Sequence, residues 1–401
     1  MKILGVISEY NPFHNGHRLH VSQARERSGC DFAIALMSGN FMQRGEPALV
    51  DKYLRARMAL SCGFDMVLEL PVYFATASAE HFAYNAVRIF NACGIVTHIA
   101  FGSESGDLDI MRRTARVLAD ESESYRAALR AALNEGDSFP RARGKALDIP
   151  DQPNDILGVE YLKALYRTRS DIEPIAIQRV GAGYHQTEIT GEIASATAVR
   201  RAVLSSGEKG EKDKAAGAMP EAAWEILRAA LDDGRYVRGL DSYQKEFRYA
   251  LFSGGRLNGI MDIAEGLENR FTAMSGKFAA PSEIISAVKT KRYTHTRLTR
   301  AALHILLDMR RCDFERYAAA DIPYIRVLGM KKTAGALMDA LTEAALCPVV
   351  TTLTPARKAL SAEGWAMLEK EIKTTDVYYI GMENGALIAP GAERREGFVA
   401  G

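Results

Sequence analysis

The chain has 401 residues, which is long enough for two domains because single hydrophobic cores usually stop growing below that size. Hydrophobic residues make up 47% and charged residues 25% of it, a globular composition that excludes a disordered or collagen-like chain. The formal net charge of +1 excludes a chain that is basic throughout, so any nucleic-acid-binding surface must be local.

The first part of the chain alternates apolar runs with helical stretches. The predicted strands are Lys2–Ser8, Phe32–Ser38, Met66–Leu70, His98–Phe101 and Ile175–Arg179. The helices predicted between them are Asn15–Ser28, Asp51–Ser61 (with Asp51 as N-cap) and Ala79–Ala92. Continuously apolar strands separated by helices predict a parallel sheet covered on both faces. We therefore expect a Rossmann-like α/β domain over residues 1–205, with ligands at the carboxyl edge of its sheet.

Residues 206–220 are charged, contain glycine and carry few large apolar side chains, which predicts an exposed linker or a mobile loop. Beyond them, helices are predicted at Glu221–Leu231, Tyr243–Phe252, Arg256–Leu267, Ser282–Val288 and Thr296–Met309. Short strands are predicted at Tyr324–Leu328, Pro348–Thr352 and Val377–Gly381. Residues 221–401 are thus expected to form a mainly helical second domain with a small α/β tail.

Cysteine usage and hydropathy favour a cytoplasmic protein. The five cysteines lie far apart without CxxC spacing, which argues against a structural zinc site and a disulfide scaffold. The apolar run at the N-terminus is too short for a signal peptide or a membrane span, and no run of eighteen apolar residues follows. We expect no membrane partner, and the sequence does not indicate an oligomeric state.

The stretch SEYNPFHNGH (residues 8–17) leaves the first strand and opens the first helix. His14 and His17 are three positions apart, so both imidazoles face one side of the helix start and can reach one polyphosphate. Gly16 lets phosphate approach the backbone, and free amides at the helix N-terminus add partial positive charge. Attack at an α-phosphate builds negative charge on its oxygens, so such donors fit nucleotidyl transfer from ATP, at roughly 3–4 kcal/mol each.

Two other interpretations of these histidines remain open. A strand–helix turn could simply carry two solvent-exposed histidines. His14, His17 and His20 could also ligate a metal, although no HExxH motif or nearby carboxylate–histidine set accompanies them. The position of the pair directly after the first apolar strand, together with Gly16, favours the phosphate site.

The HxGH loop resembles that of the HIGH-type nucleotidyltransferases, a superfamily that also includes class I aminoacyl-tRNA synthetases. Longer segments make the chain similar to the tRNA(Met) cytidine acetate ligase family. In chain order these are GVISEYNPFHNGHRLH, SGNFMQRGEPALVDKYLRARMAL, DMVLELP, FGSES, PNDILGVEYLKAL, EGLENRF and KTKRYTHTRLTR. They span most of residues 1–310, whereas residues 311–401 resemble the family less clearly.

The resemblance implies an enzyme that activates acetate with ATP and releases pyrophosphate. The acetyl group of acetyl-adenylate would then pass to the wobble cytidine of elongator tRNA(Met), giving N4-acetylcytidine. This route needs no covalent enzyme intermediate, in keeping with the lack of a persuasive Ser–His or Cys–His arrangement. ATP and the Mg²⁺ that accompanies its phosphates are the expected cofactors, and acetate and tRNA the expected partners.

The resemblance also places the ATP site, with His14 and His17 as its catalytic pair. The site would comprise Ile7, Ser8, Glu9, Tyr10, Asn11, Pro12, Phe13, His14, Asn15, Gly16, His17, Arg18, Leu19, His20, Gly102, Asn154 and Arg179. Three of these have simpler explanations. A strand-ending turn would account for Gly102, a helix N-cap for Asn154 and an ordinary surface position for Arg179.

The stretch SATAVR (residues 195–200) resembles a motif of the wider superfamily. Its hydroxyls, here those of Ser195 and Thr197, would open a helix beneath the β- and γ-phosphates. A helix start without a ligand is the alternative interpretation.

A glycine-bracketed loop follows the second predicted strand and contains Asn40, Gln43 and Arg44. This loop could hold acetate or close over it, or it could be an ordinary solvated loop. Lys52 and Arg55 follow, one helical turn apart, and would either touch phosphate or lie on a solvated helix face.

The segment KTKRYTHTRLTR (residues 289–300) carries five Lys/Arg residues and no acid. Cations would position a phosphate backbone, while interleaved aromatic rings would stack on unpaired bases. The resemblance favours a tRNA contact through Lys289, Lys291, Arg292, Tyr293, Arg297 and Arg300, against the alternative of a solvated helix face. The acidic stretch EGLENR (residues 265–270) is expected to brace this helix.

Two competing functions also fit parts of the sequence. A small-molecule adenylyltransferase needs only the first domain and leaves the basic segment without a role. An RNA-binding module with a relict nucleotide site would be non-catalytic, although the intact histidine pair argues against it. An RNA-modifying ligase uses both the HxGH loop and the basic segment, and it is the interpretation we favour.

Overall fold

A computed structural model of the chain describes residues 1–120, 123–135, 142, 144, 152–179, 188–205, 209–253 and 257–401. A single mixed sheet runs through it, flanked by helices on both faces. Among the described helices, none is long and apolar enough to cross a membrane. The expected α/β architecture is confirmed.

The sheet has eight strands in the order β5-β4-β1-β2-β3-β6-β7, with β8 pairing beside β6. The strands are β1 (Ile3–Ser8), β2 (Phe32–Ser38), β3 (Met66–Leu70), β4 (His98–Ser103), β5 (Glu173–Gln178), β6 (Ile325–Met330), β7 (Val349–Val350) and β8 (Val399–Ala400). Strands β1 to β5 pair in parallel, whereas β6 runs antiparallel to β3. The order reverses at β1, which lies between β4 and β2. In open parallel sheets such a reversal opens a crevice for ligands.

Alternate residues of the central strands bury into two separate cores. Ile3, Ile34 and Leu36 belong to the core on one face, whereas Leu4 and Ala35 belong to the core on the other. Successive side chains of a strand point to opposite faces, so an apolar residue at every position requires cover on both sides. This explains why the strands read as unbroken apolar runs.

The described residues form nineteen α-helices. They are α1 (Asn15–Ser28), α2 (Lys52–Ser61), α3 (Val72–Ala75), α4 (Ala79–Cys93), α5 (Leu108–Asp120), α6 (Glu123–Asn134), α7 (Pro153–Arg167), α8 (Ala196–Leu204), α9 (Lys209–Gly217), α10 (Glu221–Asp232), α11 (Gln244–Phe252), α12 (Leu267–Ser275), α13 (Pro281–Val288), α14 (His295–Leu306), α15 (Arg311–Ala319), α16 (Gly335–Ala344), α17 (Leu353–Ala359), α18 (Ala362–Ile380) and α19 (Ala392–Glu396). Helices α4 and α7 cover one face of the sheet, and α1, α2, α8 and α10 cover the other.

Residues 206–220 were expected to form an exposed linker or a mobile loop, but their described part, residues 209–220, is largely helical and packed. Helix α9 lies there, and Ala215 and Ala218 are fully buried. The Ala218 carbonyl also accepts the N–H of Asn15 at 2.9 Å, which ties this segment to the start of α1. The charged residues of this segment lie on its outer side. Because they dominate its composition, the composition alone does not reveal the small buried apolar face. Residues 206–208 lie outside the described part of the chain.

Two further secondary-structure predictions are wrong. Val377–Gly381 was expected to be a strand, but Val377 to Ile380 form the last turn of α18, where Tyr378 is buried. A helix was expected at Arg256–Leu267, but residues 257–266 form turns and α12 begins at Leu267. Positive φ angles at Asp262 and Glu265 are incompatible with a continuous helix.

The C-terminal part of the chain completes the sheet. Strands β6, β7 and β8 continue it beyond β3, and Leu328 of β6 reaches the same core as Leu4 of β1. The predicted strands near residues 324 and 348 are thus present, at Ile325–Met330 and Val349–Val350. Residues 221–401 therefore supply strands to the sheet of the first part as well as helices.

Candidate active site

A pocket of about 490 Å³ opens at the carboxyl ends of β1, β4 and β5. This volume lies in the usual range for small-molecule sites. The pocket adjoins β1, where the strand order reverses. From the predicted sites it brings together Ile7, Ser8, Glu9, Tyr10, Asn11, His14, Gly16, His17, Leu19, His20, Gln43, Arg44, Gly102, Asn154, Arg179, Ser195 and Thr197.

The two histidines are fixed by the backbone at the start of α1. His14 is the N-cap, and its Nδ1 accepts the N–H of Gly16 at 3.1 Å. The Nδ1 of His17 accepts the N–H of His14 at 3.2 Å, and the two rings stack with centroids 3.7 Å apart. A neutral imidazole carries one proton, so an accepting Nδ1 places the proton on Nε2. Both rings therefore offer an Nε2–H donor at the pocket.

Burial keeps these imidazoles neutral. It lowers the pKa of His14 to about 3, helped by the nearby guanidinium groups of Arg179 and Arg200. Burial and the neighbouring His14 hold the pKa of His17 well below its ordinary value, and burial lowers the pKa of His20 to about 4. A neutral imidazole keeps one N–H group, so each ring can still donate one hydrogen bond to a phosphate oxygen.

We expect the imidazole NMR signals of His14, His17 and His20 not to titrate between about pH 5 and 8, where unperturbed histidine changes charge. The urea-unfolded chain, with its histidines near pKa 6.5, is the control. A folded-state pKa below the unfolded value means that only the unfolded state takes up these protons as the pH falls. Stability should therefore decline between about pH 6.5 and 4. Titration of His14 near pH 6.5 in the free protein would contradict this account.

Helix α8 forms the wall facing the histidines. Its N-cap is Ser195, whose Oγ accepts the N–H of Ala198 at 3.1 Å. One turn later, Arg200 donates from Nη1 to the Asn11 carbonyl at 2.7 Å and lies 3.6 Å from Glu46. The predicted helix start over residues 195–200 is thus present and borders the pocket. Arg200 itself was missed as a site residue, although it ends the motif that pointed here.

Gly102, Asn154 and Arg179 meet on the third side of the pocket. Gly102 lies on β4, and a Cβ added to it would approach the Arg179 side chain to 3.5 Å. Asn154 donates from Nδ2 to Glu104 at 2.5 Å. The N-cap of α7 is Gln152, so the alternative that Asn154 is a helix cap is wrong.

The loop after β2 divides into a pocket-facing part and a buried part. Gln43 and Arg44 line the pocket. Gly45, at a φ of +85°, packs so closely on α14 that an added Cβ would collide with the backbone nitrogen of Arg300. Asn40 faces away from the pocket. Its Oδ1 accepts the N–H of Lys52 at 2.8 Å and its Nδ2 donates to Thr375 at 3.2 Å. Asn40 is therefore a brace beneath the loop rather than a pocket residue.

Lys52 and Arg55 neither face the pocket nor lie on a solvated face, so both alternatives considered for them are wrong. Both are fully buried. The Lys52 Nζ lies 2.6 Å from Glu69 and 2.8 Å from Glu393. Arg55 donates to the carbonyls of residues at the ends of β1 and β2, including Glu9 at 2.7 Å and Ser38 at 3.1 Å. These cations hold the strand ends that carry the site.

Four residues of the predicted N-terminal set do not line the pocket: Pro12, Phe13, Asn15 and Arg18. Phe13 is fully buried in the core, and Asn15 donates to the carbonyls of Glu192 and Gly217, both at 3.0 Å. Several lining residues were not predicted, among them Gln23, Phe82, Tyr161 and Thr296. Tyr161 and Thr296 lie in segments that resemble the family, but their place at the pocket follows only from how the fold brings separate helices together.

The basic segment 289–300 borders the pocket but differs in detail from the prediction. Tyr293 is only 4% exposed, and its hydroxyl donates to the Glu265 carbonyl at 3.3 Å, so it is not available to stack on a base. Arg300 is buried and pairs with Asp262 at 2.9 Å. The Lys289 Nζ donates to the Tyr293 carbonyl at 2.7 Å. These three residues therefore stabilise the segment.

Two cations of the segment are exposed to solvent. Lys291 is exposed, and the Arg292 side chain is 66% exposed while pairing with Glu265 at 3.1 Å. Arg297 lies 5.1 Å from the Tyr293 ring centre. The predicted bracing by the acidic stretch 265–270 is confirmed by the Glu265 contacts. Thr296, at the start of α14, lines the pocket and links this surface to it.

Comparisons with known proteins find relatives that match most of the chain. The family model described as HIGH Nucleotidyl Transferase matches residues 1–388. The chain is 38% identical over 397 residues to the tRNA(Met) cytidine acetate ligase of Thermoanaerobacter sp. (strain X514), covering 96% of this chain and 97% of that protein. It is 43% identical over 338 residues to the protein of the same name from Caldicellulosiruptor bescii, covering 82% of each. The crystal structure of Thermotoga maritima TmcAL bound with alpha-thio ATP superposes with a TM-score of 0.92 at 33% identity, covering 100% of this chain and 99% of that one.

Proposed function

Because the chain belongs to the tRNA(Met) cytidine acetate ligase family of HIGH nucleotidyl transferases, we propose that it uses ATP and acetate to acetylate a cytidine of tRNA(Met). The acceptor in this proposal is the wobble cytidine of the elongator tRNA, and the product is N4-acetylcytidine. The observation that carries the proposal is the stacked pair of Nε2–H donors of His14 and His17, at a helix start within a sheet-edge pocket. A solved relative at 33% identity binds an ATP analogue.

The activation step uses this pocket as an anion site. An acetate oxygen attacks the α-phosphorus, the new bond forms acetyl-adenylate, and pyrophosphate leaves with the electron pair of the broken P–O bond. Negative charge on the phosphate oxygens is stabilised by the two imidazole donors, the positive end of the α1 dipole and the Arg179 guanidinium. Helix α8 and Arg200 face the leaving pyrophosphate from the opposite wall.

In this proposal, acetate binds at the loop after β2. Gln43 and Arg44 line the pocket there, on the side of β1 away from Gly102. An arginine and an amide are suited to a carboxylate because they offer directed N–H donors. Asn40 supports this loop through Lys52 and Thr375 and has no direct role in binding.

Mg²⁺ is proposed to enter with the ATP phosphates. Magnesium usually keeps several waters and binds through substrate phosphates rather than in an all-protein cage. The described residues contain no group of three His, Cys, Asp or Glu side chains that could hold a metal. We also propose that the protein works in the cytoplasm, where its tRNA substrate is found.

The test is incubation with ATP, radiolabelled acetate and an elongator tRNA(Met) transcript, followed by nucleoside analysis. We expect labelled N4-acetylcytidine and one pyrophosphate per acetyl group. The control is the same transcript with uridine at the wobble position, which lacks the exocyclic amine and should remain unlabelled. Pyrophosphate release that a mononucleotide stimulates and acetate does not affect would identify a small-molecule adenylyltransferase instead.

We propose that tRNA binds across the exposed part of segment 289–300 next to the pocket. Replacing both Lys291 and Arg292 with alanine should weaken tRNA binding and lower the salt slope of the affinity by roughly 1.4, at about 0.7 per single-strand phosphate. Acetate-dependent pyrophosphate release should not change. The matched control replaces Arg228 and Lys373, two surface cations outside this segment. Equal losses in the two double variants would contradict this placement.

A further inference from the structure

The pocket has a second polar centre at the end of β1, in addition to the two histidines. Glu9 is the first residue after that strand, and its Oε1 accepts the N–H of Gln43 at 2.6 Å. Arg55 donates to the Glu9 carbonyl at 2.7 Å from beneath, so the backbone at this position is fixed. Glu9 therefore reaches the pocket as a held carboxyl group rather than as a surface side chain.

The charges around Glu9 come from four separate elements. Burial raises the pKa of Glu9, while the Gln43 N–H and the nearby arginines oppose that shift. The groups facing it are Arg44 from the loop after β2, Arg55 from α2, Arg200 from α8 and Tyr161 from α7. The Arg200 guanidinium lowers the pKa of both Glu9 and His14.

This centre has the properties that the acceptor base requires. The exocyclic amine of cytosine loses a proton when it forms an amide, because attack leaves the nitrogen positively charged. A carboxylate within hydrogen-bond reach can both orient the amine and accept that proton.

We propose that Glu9 is the catalytic base of acetyl transfer. This inference rests on the proposed function. The amine lone pair attacks the carbonyl carbon of acetyl-adenylate and forms the C–N bond. The bond between that carbon and the AMP oxygen breaks with its electron pair, the amine proton passes to the Glu9 carboxylate, and Glu9 later returns it to solvent.

Other described groups at the pocket fit this role less well. His14 and His17 already accept backbone N–H groups at Nδ1 and carry their proton on Nε2. Among the described lining residues, the other carboxylate is Glu46, whose side chain is 46% exposed and lies beside Arg200. Glu9 is half-buried, its backbone is held by Arg55 and its carboxyl group by the Gln43 N–H, so it is the better fixed of these two carboxylates.

The test separates the two half-reactions in Glu9→Gln, which keeps the acceptor oxygen for the Gln43 N–H but cannot take a proton. We expect any loss in acetate-dependent exchange of pyrophosphate into ATP to be much smaller than the loss in acetyl transfer, since this base is needed only after activation. Single-turnover acetyl transfer to tRNA should fall by about 10²–10⁴-fold, and its rise with pH should disappear. Glu9→Asp should restore part of the transfer, and Glu26→Gln, an exposed carboxylate on α1, is the matched control.

Each outcome bears on the proposal. Loss of both half-reactions in Glu9→Gln would assign Glu9 to acetate activation and overturn its role as the base. Unchanged transfer would overturn it as well. If wild-type protein shows no acetate-dependent exchange at all, the proposed function fails, and that failure is distinguishable because it appears before any variant is compared. Thermal unfolding and tRNA affinity equal to wild type would show that Glu9→Gln is folded.

Discussion

Replacing His17 with alanine is expected to lower the rate of acetyl-adenylate formation by about 10²–10³-fold, the usual cost of one preorganised donor to a developing oxyanion. The variant loses the Nε2–H donor and also the Nδ1 acceptor that holds the His14 N–H at 3.2 Å. Acetate-dependent exchange of labelled pyrophosphate into ATP measures this step without tRNA. The affinity for tRNA should not change, because the exposed basic segment is untouched.

Two comparison variants sharpen this result. His17→Gln offers an amide N–H near the position of Nε2, so it should keep more activity than alanine. His98→Ala removes a histidine at the start of β4, outside the pocket, and should leave the exchange rate unchanged. An equal loss in the His98 variant, or a loss of tRNA affinity in His17→Ala, would contradict the assignment of His17 to the phosphates.

Replacing Lys52 with methionine is expected to lower the free energy of unfolding by about 3–5 kcal/mol, because it leaves the buried Glu69 carboxylate without its cation. Burial lowers the pKa of Lys52, but Glu393 and Glu69 outweigh this effect and keep the amine charged. Urea unfolding measures the change. The matched control is Lys373→Met, whose side chain is 67% exposed beside Glu369, and it should cost no more than about 1 kcal/mol.

The pH dependence of the Lys52 variant has a definite sign. Burial already raises the pKa of Glu69, and removing its cation should raise it further. A folded-state pKa above the unfolded value gives stability that is lost as the pH rises through the folded pKa. The deficit of Lys52→Met should therefore be larger at about pH 8 than at about pH 5. A small deficit that does not vary with pH would contradict the buried ion pairs.

The sequence was most informative where local pattern and tertiary role coincide. Unbroken apolar runs such as Phe32–Ser38 predicted the buried parallel strands, since only a sheet covered on both faces requires them. The HxGH loop was found because its spacing and its place after β1 are both local features. The bonds from backbone N–H groups to Nδ1, which direct Nε2–H to the pocket, needed coordinates.

The wrong predictions have a common cause in contacts between distant parts of the chain. Lys52 and Arg55 look like solvated or phosphate-binding cations, but Glu393, a partner of Lys52, lies over three hundred residues later. Tyr293 and Arg300 look available to RNA, yet Glu265 and Asp262 engage them. Val377–Gly381 reads as a strand because β-branched and aromatic residues also fill a buried helix, as α18 shows.

The account depends most on where the triphosphate binds, and a crystal structure with a nonhydrolysable ATP analogue tests this directly. The prediction is that the Nε2 atoms of His14 and His17 lie about 2.7–3.2 Å from phosphate oxygens, with α8 on the far side of the polyphosphate. Rings turned away from the nucleotide, or an analogue bound outside the pocket, would contradict the assignment.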